Sequence, residues 1–328
     1  MFYFIHYLRA IATVLITNSH YSNIWPNANL AAGGLLGNIL FFAASGFCLF
    51  RVKEGFGKWY VKRIAKIYPV MVGFTLVTVL LGRYPLRNLQ DAVKLFLFPT
   101  NYIFLVWLML CYVVFYVVAW LSQKYENATE YSLVLVLIAW LVTYFAFVDK
   151  SAYHIDNVDE PFILFLYFSS MLIGALFRKH MDKIRKVRWY GVVGLLAGLL
   201  VYFGSKIAFS KIQAIVFWQI LNQLSVLVVL GFVFAVFIGL EPVFKRFPMW
   251  LNKTVKFVAT ITLHIYLVQF VVIYTFEGLM FPLNFVVTTA LILAAASALY
   301  FAEAFTRKGI LCLTKKIVRK KENAKSND

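Results

Sequence analysis

Acidic side chains are scarce in this sequence. Its 328 residues hold 14 Asp and Glu against 32 Lys and Arg, and charges of both signs make up 14% of the chain. That is too little polar surface for an ordinary soluble domain. Cysteine is scarce too. Cys48, Cys111 and Cys312 build no disulfide framework, and the first two sit inside apolar runs. There is no Walker A loop, no Rossmann fingerprint, no HExxH and no GxSxG. No His, Asp or Glu spacing matches a calcium loop or a zinc signature, so no metal is expected. The first apolar run lacks a basic leader and a small-residue cleavage site, and it is expected to stay as a helix. It also lacks the charge repeat of a voltage sensor. No internal repeat and no attached soluble domain is evident.

What the chain has is apolar length. It is 62% hydrophobic with a mean hydropathy of +0.79. Ten apolar runs cover residues 2–20, 30–50, 65–81, 101–121, 131–148, 161–178, 188–205, 212–239, 255–279 and 283–306. Runs of this kind cross a bilayer as helices. The expected fold is an all-α polytopic membrane helix bundle with about ten transmembrane helices. The eighth run is long for one span and is expected to tilt, kink or begin at the interface. The stretch 82–100 is too mixed to span and is expected to lie along the surface.

The net charge of +18 would suit a nucleic-acid partner, but its distribution argues for a bilayer instead. With the amino terminus placed in the cytoplasm, 25 of the 32 Lys and Arg fall in inside segments and six in outside ones, with Arg9 left within the first run. This asymmetry predicts that both termini are cytoplasmic. The division is a transmembrane domain over 1–306 and a basic tail over 307–328, which is expected to hug an anionic leaflet and then fray.

Charged residues inside the runs are the candidates for chemistry. In the first run, Arg9 and His20 are eleven residues apart, which returns a helix to nearly the same angle about 16 Å further along. Thr13 and Thr17 lie near that line. Either the pair faces a polar interior, or Arg9 snorkels to a headgroup and His20 caps the helix. Ser45 and Gly46 end the second run and permit close helix packing. Arg63 and Lys66, three apart, either mark the inner boundary or hold the phosphates of a cytosolic donor. Trp107 either lines a cavity or fills a helix interface. The loop 149–160 gathers Asp149, His154, Asp156, Asp159 and Glu160 as a short acidic stretch. The ninth run carries His264 and Gln269, with Glu277 near its outer end, which is too polar for a helix facing lipid alone. Glu303 lies near the end of the tenth. Arg9 and Glu303 thus share the inner level, and His20 and Glu277 the outer one.

These elements together resemble the membrane acyltransferase-3 family. That family opens with an Arg, ten residues and a His, matched by Arg9 and His20. Its Ser-Gly-Phe element is matched by Ser45, Gly46 and Phe47. Its Arg-x-x-Arg before Ile-Tyr-Pro is matched by Arg63 to Pro69, with Lys66 in place of the second Arg. Its Tyr-Leu-x-His is matched by Tyr266 and Leu267 but ends here in Gln269. Its terminal-helix Glu is matched by Glu303.

The resemblance implies an enzyme that moves an acyl group, usually acetyl, from acyl-CoA to a hydroxyl of a cell-surface or lipid-linked carbohydrate. It implies His20 as base and Arg9, with Arg63 and Lys66, as the clamp on acetyl-CoA or another acyl-CoA co-substrate. A bacterial plasma membrane is the expected location. The competing classes are a glycolipid or polysaccharide transporter and a non-catalytic subunit of a polysaccharide assembly complex.

Overall fold

A backbone inside a bilayer has no water to satisfy its N–H and C=O groups, so long apolar runs fold as helices. The computed structural model describes residues 2–97, 99, 102–184, 187–276 and 280–325, and every regular element among them is helical. In order these are α1 (Tyr3–Ser19), α2 (Gly34–Leu49), α3 (Phe56–Leu80), a short α4 (Leu89–Ala92), α5 (Ile103–Leu121), α6 (Ala128–Phe147) and α7 (Ile163–Lys179). Then follow α8 (Trp189–Lys211), α9 (Ile220–Gly239), a short α10 (Glu241–Arg246), α11 (Met249–Thr260), α12 (Thr262–Phe276) and α13 (Leu283–Lys325).

Among the described residues, seven helices are long and apolar enough to cross a membrane, or eight if α11 and α12 form one broken span. α1 and α7 are shorter, at 17 residues each. Among the described residues, every apolar run of the sequence falls mainly on a helix or on the α11–α12 pair. The eighth run starts with a 3-10 turn, Gln213–Trp218, before α9 begins. The stretch 82–100 contributes α4 and one π-helical turn, Val93–Leu97.

The bundle has a closed centre and an apolar rim. α2 and α9 are its most enclosed long helices, while α6 and α8 turn side chains such as Leu135 and Leu200 outward. Among membrane-spanning helices, outward-facing leucines suit lipid contact. At the centre, Phe42 stacks on Tyr167 with ring centroids 4.3 Å apart, and Asn38 Nδ2 donates to the Tyr167 hydroxyl at 2.9 Å.

α1 is fixed along its whole length. Glu241 accepts the backbone N–H groups of Tyr3 at 3.2 Å and Phe4 at 2.8 Å, satisfying first-turn donors that have no partner within the helix. The Tyr7 hydroxyl donates to Asn252 Oδ1 at 2.9 Å. Thr13 and Thr17 donate to Thr262 Oγ1 at 3.0 Å and Gln269 Oε1 at 2.9 Å. The polar line on the first run therefore faces α12 rather than lipid.

The ninth run is broken. α11 and α12 meet at 68° about Ile261, although neither Gly nor Pro stands at the bend. Thr262 Oγ1 turns back to the Ala259 carbonyl at 3.1 Å, the kind of side-chain competition that bends a helix. At the other end, α13 continues as helix past residues 306–307 to Lys325.

Candidate active site

A cavity of about 380 Å³ lies among α1, α2, α3, α5, α11, α12 and α13. That volume is in the range of sites that enclose small molecules. Its wall takes Arg9, Thr13 and Thr17 from α1, Ser45 and Cys48 from α2, and Arg63 and Lys66 from α3. α5 adds Phe104 and Tyr112, α12 adds His264 and Gln269, and α13 adds Tyr300, Glu303 and Arg307.

The basic segment before Pro69 is helical, because α3 starts at Phe56. This points Arg63 and Lys66 into the same space as Arg9. Arg9 lies half-buried, with its guanidinium 5.8 Å from the centre of the Phe41 ring. Arg63 lies over Trp59 at 4.7 Å, and its Nε is buried without a hydrogen-bond partner. The charges of Arg9, Arg63 and Arg307 all act on Lys66. Among the described residues, Arg9, Arg63 and Lys66 have no carboxylate partner. Unpaired cations are costly in such a place, and a cavity lined by them is suited to an anionic ligand.

The acidic residue of the cavity wall is otherwise engaged. Glu303 Oε2 lies 3.0 Å from His264 Nε2, and Glu303 Oε1 pairs with Arg307 one turn along α13. Glu303 therefore meets His264 and Arg307 rather than Arg9. His264 is 4% exposed, and its Nδ1 is buried without a hydrogen-bond partner. Gln269 is fully buried; Thr17 holds its Oε1, and its Nε2 has no partner. Ser45 and Tyr112 both line the cavity, from α2 and α5.

Seven candidates from the sequence thus share one cavity: Arg9, Ser45, Arg63, Lys66, His264, Gln269 and Glu303. His20 stands one turn beyond Thr17, outside the wall. Its ring meets Phe270 edge-on at 4.7 Å, next to Gln269 in the chain. Trp107 is also outside, donating through Nε1 to the Val158 carbonyl at 2.8 Å and so tying down the loop 149–160. Glu277 lies outside the described residues. Among those described, no group of three His, Cys, Asp or Glu side chains is placed to hold a metal.

Sequence reasoning missed Arg307, Tyr112 and Cys48. Arg307 reads as one more topology charge at the start of the tail; its position four residues after Glu303, on the same helical face, is the signal for a cavity residue. Tyr112 is one aromatic among many on α5, and nothing local distinguishes it.

Fold and site together define a helical membrane protein with a cation-lined cavity between its central helices. The family model for an acyltransferase domain matches residues 2–305, nearly the whole chain, which belongs to the acyltransferase-3 family. It is a membrane acyltransferase. No curated protein and no solved structure matches it.

Proposed function

We propose that this membrane acyltransferase carries an acyl group, acetyl in the simplest case, from acyl-CoA to a hydroxyl of a cell-surface or lipid-linked carbohydrate. The observation that carries the reading is the cluster of Arg9, Arg63 and Lys66, three cations without carboxylate partners in one cavity wall. Coenzyme A is a polyanion, and guanidinium forks bind phosphate through several donors at once. The charge asymmetry, which favours about ten spans with both termini in the cytoplasm, supports Arg63 and Lys66 on the side where acyl-CoA is found. In a bacterium this is the plasma membrane.

The long, thin arm of coenzyme A suits a cavity lined by several helices. With its phosphates at Arg9, the arm runs along α1 and α12 toward His20, about 16 Å away along the helix axis. His20 is the base in this reading. It takes the proton of the acceptor hydroxyl, whose oxygen bonds to the thioester carbonyl carbon. The carbon–sulfur bond then breaks, and the departing thiolate recovers the proton from His20 as free coenzyme A.

One observation favours a transporter. The 68° break between α11 and α12 resembles the discontinuous helices that line transport sites. Thiol release from acetyl-CoA by the purified protein in lipid nanodiscs, measured with and without candidate glycans, separates the two. Acceptor-dependent thiol release, with acylated glycan seen by mass spectrometry and lost in His20→Ala, supports the enzyme. Glycolipid movement without any thiol release supports the transporter.

A further inference from the structure

Besides Arg63 Nε, two buried atoms of residues in the cavity wall have no hydrogen-bond partner among the described residues, and they are chemically opposite. Both belong to α12, five residues apart. His264 Nε2 lies 3.0 Å from a carboxylate oxygen of Glu303, which only accepts, so the ring proton sits on Nε2 and Nδ1 carries a lone pair. That Nδ1 is buried and unpaired in a ring fixed by Glu303 and set edge-on to Tyr300 at 5.4 Å. Gln269 is the reverse case. The Thr17 hydroxyl occupies its Oε1 at 2.9 Å, which leaves the Nε2 hydrogens as a buried, unpaired donor. The side chains are 4% and 0% exposed.

Leaving such atoms buried and unpaired is costly, so each calls for a ligand atom of the opposite kind. A phosphate, which only accepts, suits Gln269 Nε2 but not the Nδ1 lone pair. An apolar chain suits neither. A secondary amide offers both, an N–H and a C=O. Five helical residues separate the two positions by about 7.5 Å along the axis. Two amides linked through a pair of methylenes repeat at about 5 Å in extended form, within reach of flexible side-chain ends. The cations of Arg9, Arg63 and Lys66 stand in the same wall, so the diamide would follow directly on a phosphate.

We propose, resting on the donor reading above, that His264 and Gln269 form the subsite for the 4′-phosphopantetheine arm. His264 Nδ1 accepts from one amide N–H of the arm, and Gln269 Nε2 donates to an amide carbonyl. Glu303 and Thr17 are positioning residues, the first fixing the tautomer of His264 and the second the orientation of Gln269. The arm occurs both in coenzyme A and on acyl carrier proteins, and its chemistry is the same in each.

The test is equilibrium binding to the full chain in nanodiscs, with four probes: acetyl-CoA, S-acetyl-4′-phosphopantetheine, adenosine 3′,5′-bisphosphate and an acetylated acyl carrier protein. His264→Leu and Gln269→Met each remove one partner and add no charge to the cavity. Each variant is expected to bind acetyl-CoA and S-acetyl-4′-phosphopantetheine about tenfold more weakly. Binding of adenosine 3′,5′-bisphosphate, which has no arm, should stay unchanged and so reports that the cavity is intact. Thr17→Val should reproduce part of the Gln269→Met loss on the same two probes. Unchanged affinity of both variants for the arm-bearing probes overturns the subsite while leaving the donor reading in place. Equal loss for all probes also overturns it, because the effect is then on the cavity as a whole. If the wild-type protein binds neither acetyl-CoA nor the bisphosphate but binds the carrier protein, the arm subsite stands and coenzyme A is replaced as its source. If it binds none of the four, the donor reading fails and the subsite with it.

Discussion

Gly46 of α2 and Gly174 of α7 interlock the two helices at backbone distance. A Cβ on Gly46 would overlap the carbonyl oxygen of Met171, and one on Gly174 would overlap that of Ala43. Each helix thus presents its glycine to the backbone of the other, and small residues are what allow membrane helices this approach. The neighbour of Gly46 is Ser45, which lines the cavity. This close helix packing is therefore adjacent to the site.

The first prediction concerns this lock. Neither neighbour is a flexible side chain, so an added methyl forces the helices apart. Gly46→Ala and Gly174→Ala should each destabilise the protein by about 1–3 kcal/mol, as overpacking does. Thermal unfolding in detergent measures it, and an unshifted Tm in both variants would show that the helices can separate freely. Gly46→Ala should also lower turnover more than Gly174→Ala, because it displaces Ser45.

How much of this was legible in the sequence depended on whether the signal was local. Arg9, Arg63 and Lys66 stand out because cations near or within apolar runs are exceptional, and Gly46 because it follows Ser45 at the end of a run. The pairing of His264 with Glu303 was not legible, since it spans 39 residues and exists only once α12 packs on α13. Arg9 and Glu303 share a level in the sequence reading, and a shared level implies no contact, for the same reason. Depth along the membrane does not fix the angle about each helix. The α11–α12 break was hidden because Thr262, rather than Gly or Pro, makes it. The apolar runs themselves located the helices well, since only helix satisfies their backbone.

The second prediction is topological. Ser151 and Glu126 are both exposed, in loops that the charge asymmetry places on opposite sides. In a protein lacking Cys48, Cys111 and Cys312, an impermeant thiol reagent added to intact cells should label Ser151→Cys and spare Glu126→Cys. Equal labelling of the two would rule out the proposed arrangement of about ten spans with both termini inside.

The third prediction concerns the loop 149–160. His154 donates through Nε2 to the Asp149 carbonyl at 2.8 Å, and its Nδ1 lies 3.1 Å from both Glu160 oxygens. Partial burial alone would lower its pKa, but the Asp149 carbonyl and the Glu160 carboxylate outweigh it and hold the pKa above the ordinary 6.5. For a raised histidine pKa, the added stability is complete below the unfolded value and is lost as pH rises through the folded one. Hydrogen exchange of the loop amides, corrected for intrinsic rates, should therefore show protection falling from about pH 6.5 upward. His154→Gln should flatten that profile. A wild-type profile that is already flat would mean that the pair does not hold the loop.

The last prediction separates two uses of positive charge. Arg63 and Arg9 are both half-buried, but Arg63 precedes the third apolar run while Arg9 lies within the first, with the Phe41 ring beside it. If both hold donor phosphates, Arg63→Ala should weaken acetyl-CoA binding by about tenfold at low salt, and by less as salt screens the lost attraction. Arg9 is less exposed to screening, so the loss in Arg9→Ala should be larger and should change little with salt. Arg9→Lys keeps the charge but replaces the planar fork with a point charge, so it should recover only part of the affinity. The alternative is that these cations serve only insertion and headgroup contact, in which case correctly inserted variants bind acetyl-CoA as the wild type does. Titration across a salt series on nanodisc-reconstituted protein reads all three variants in one experiment. Wild-type affinity in both Arg63→Ala and Arg9→Ala would remove the clamp, and with it the reason to place the donor in this cavity.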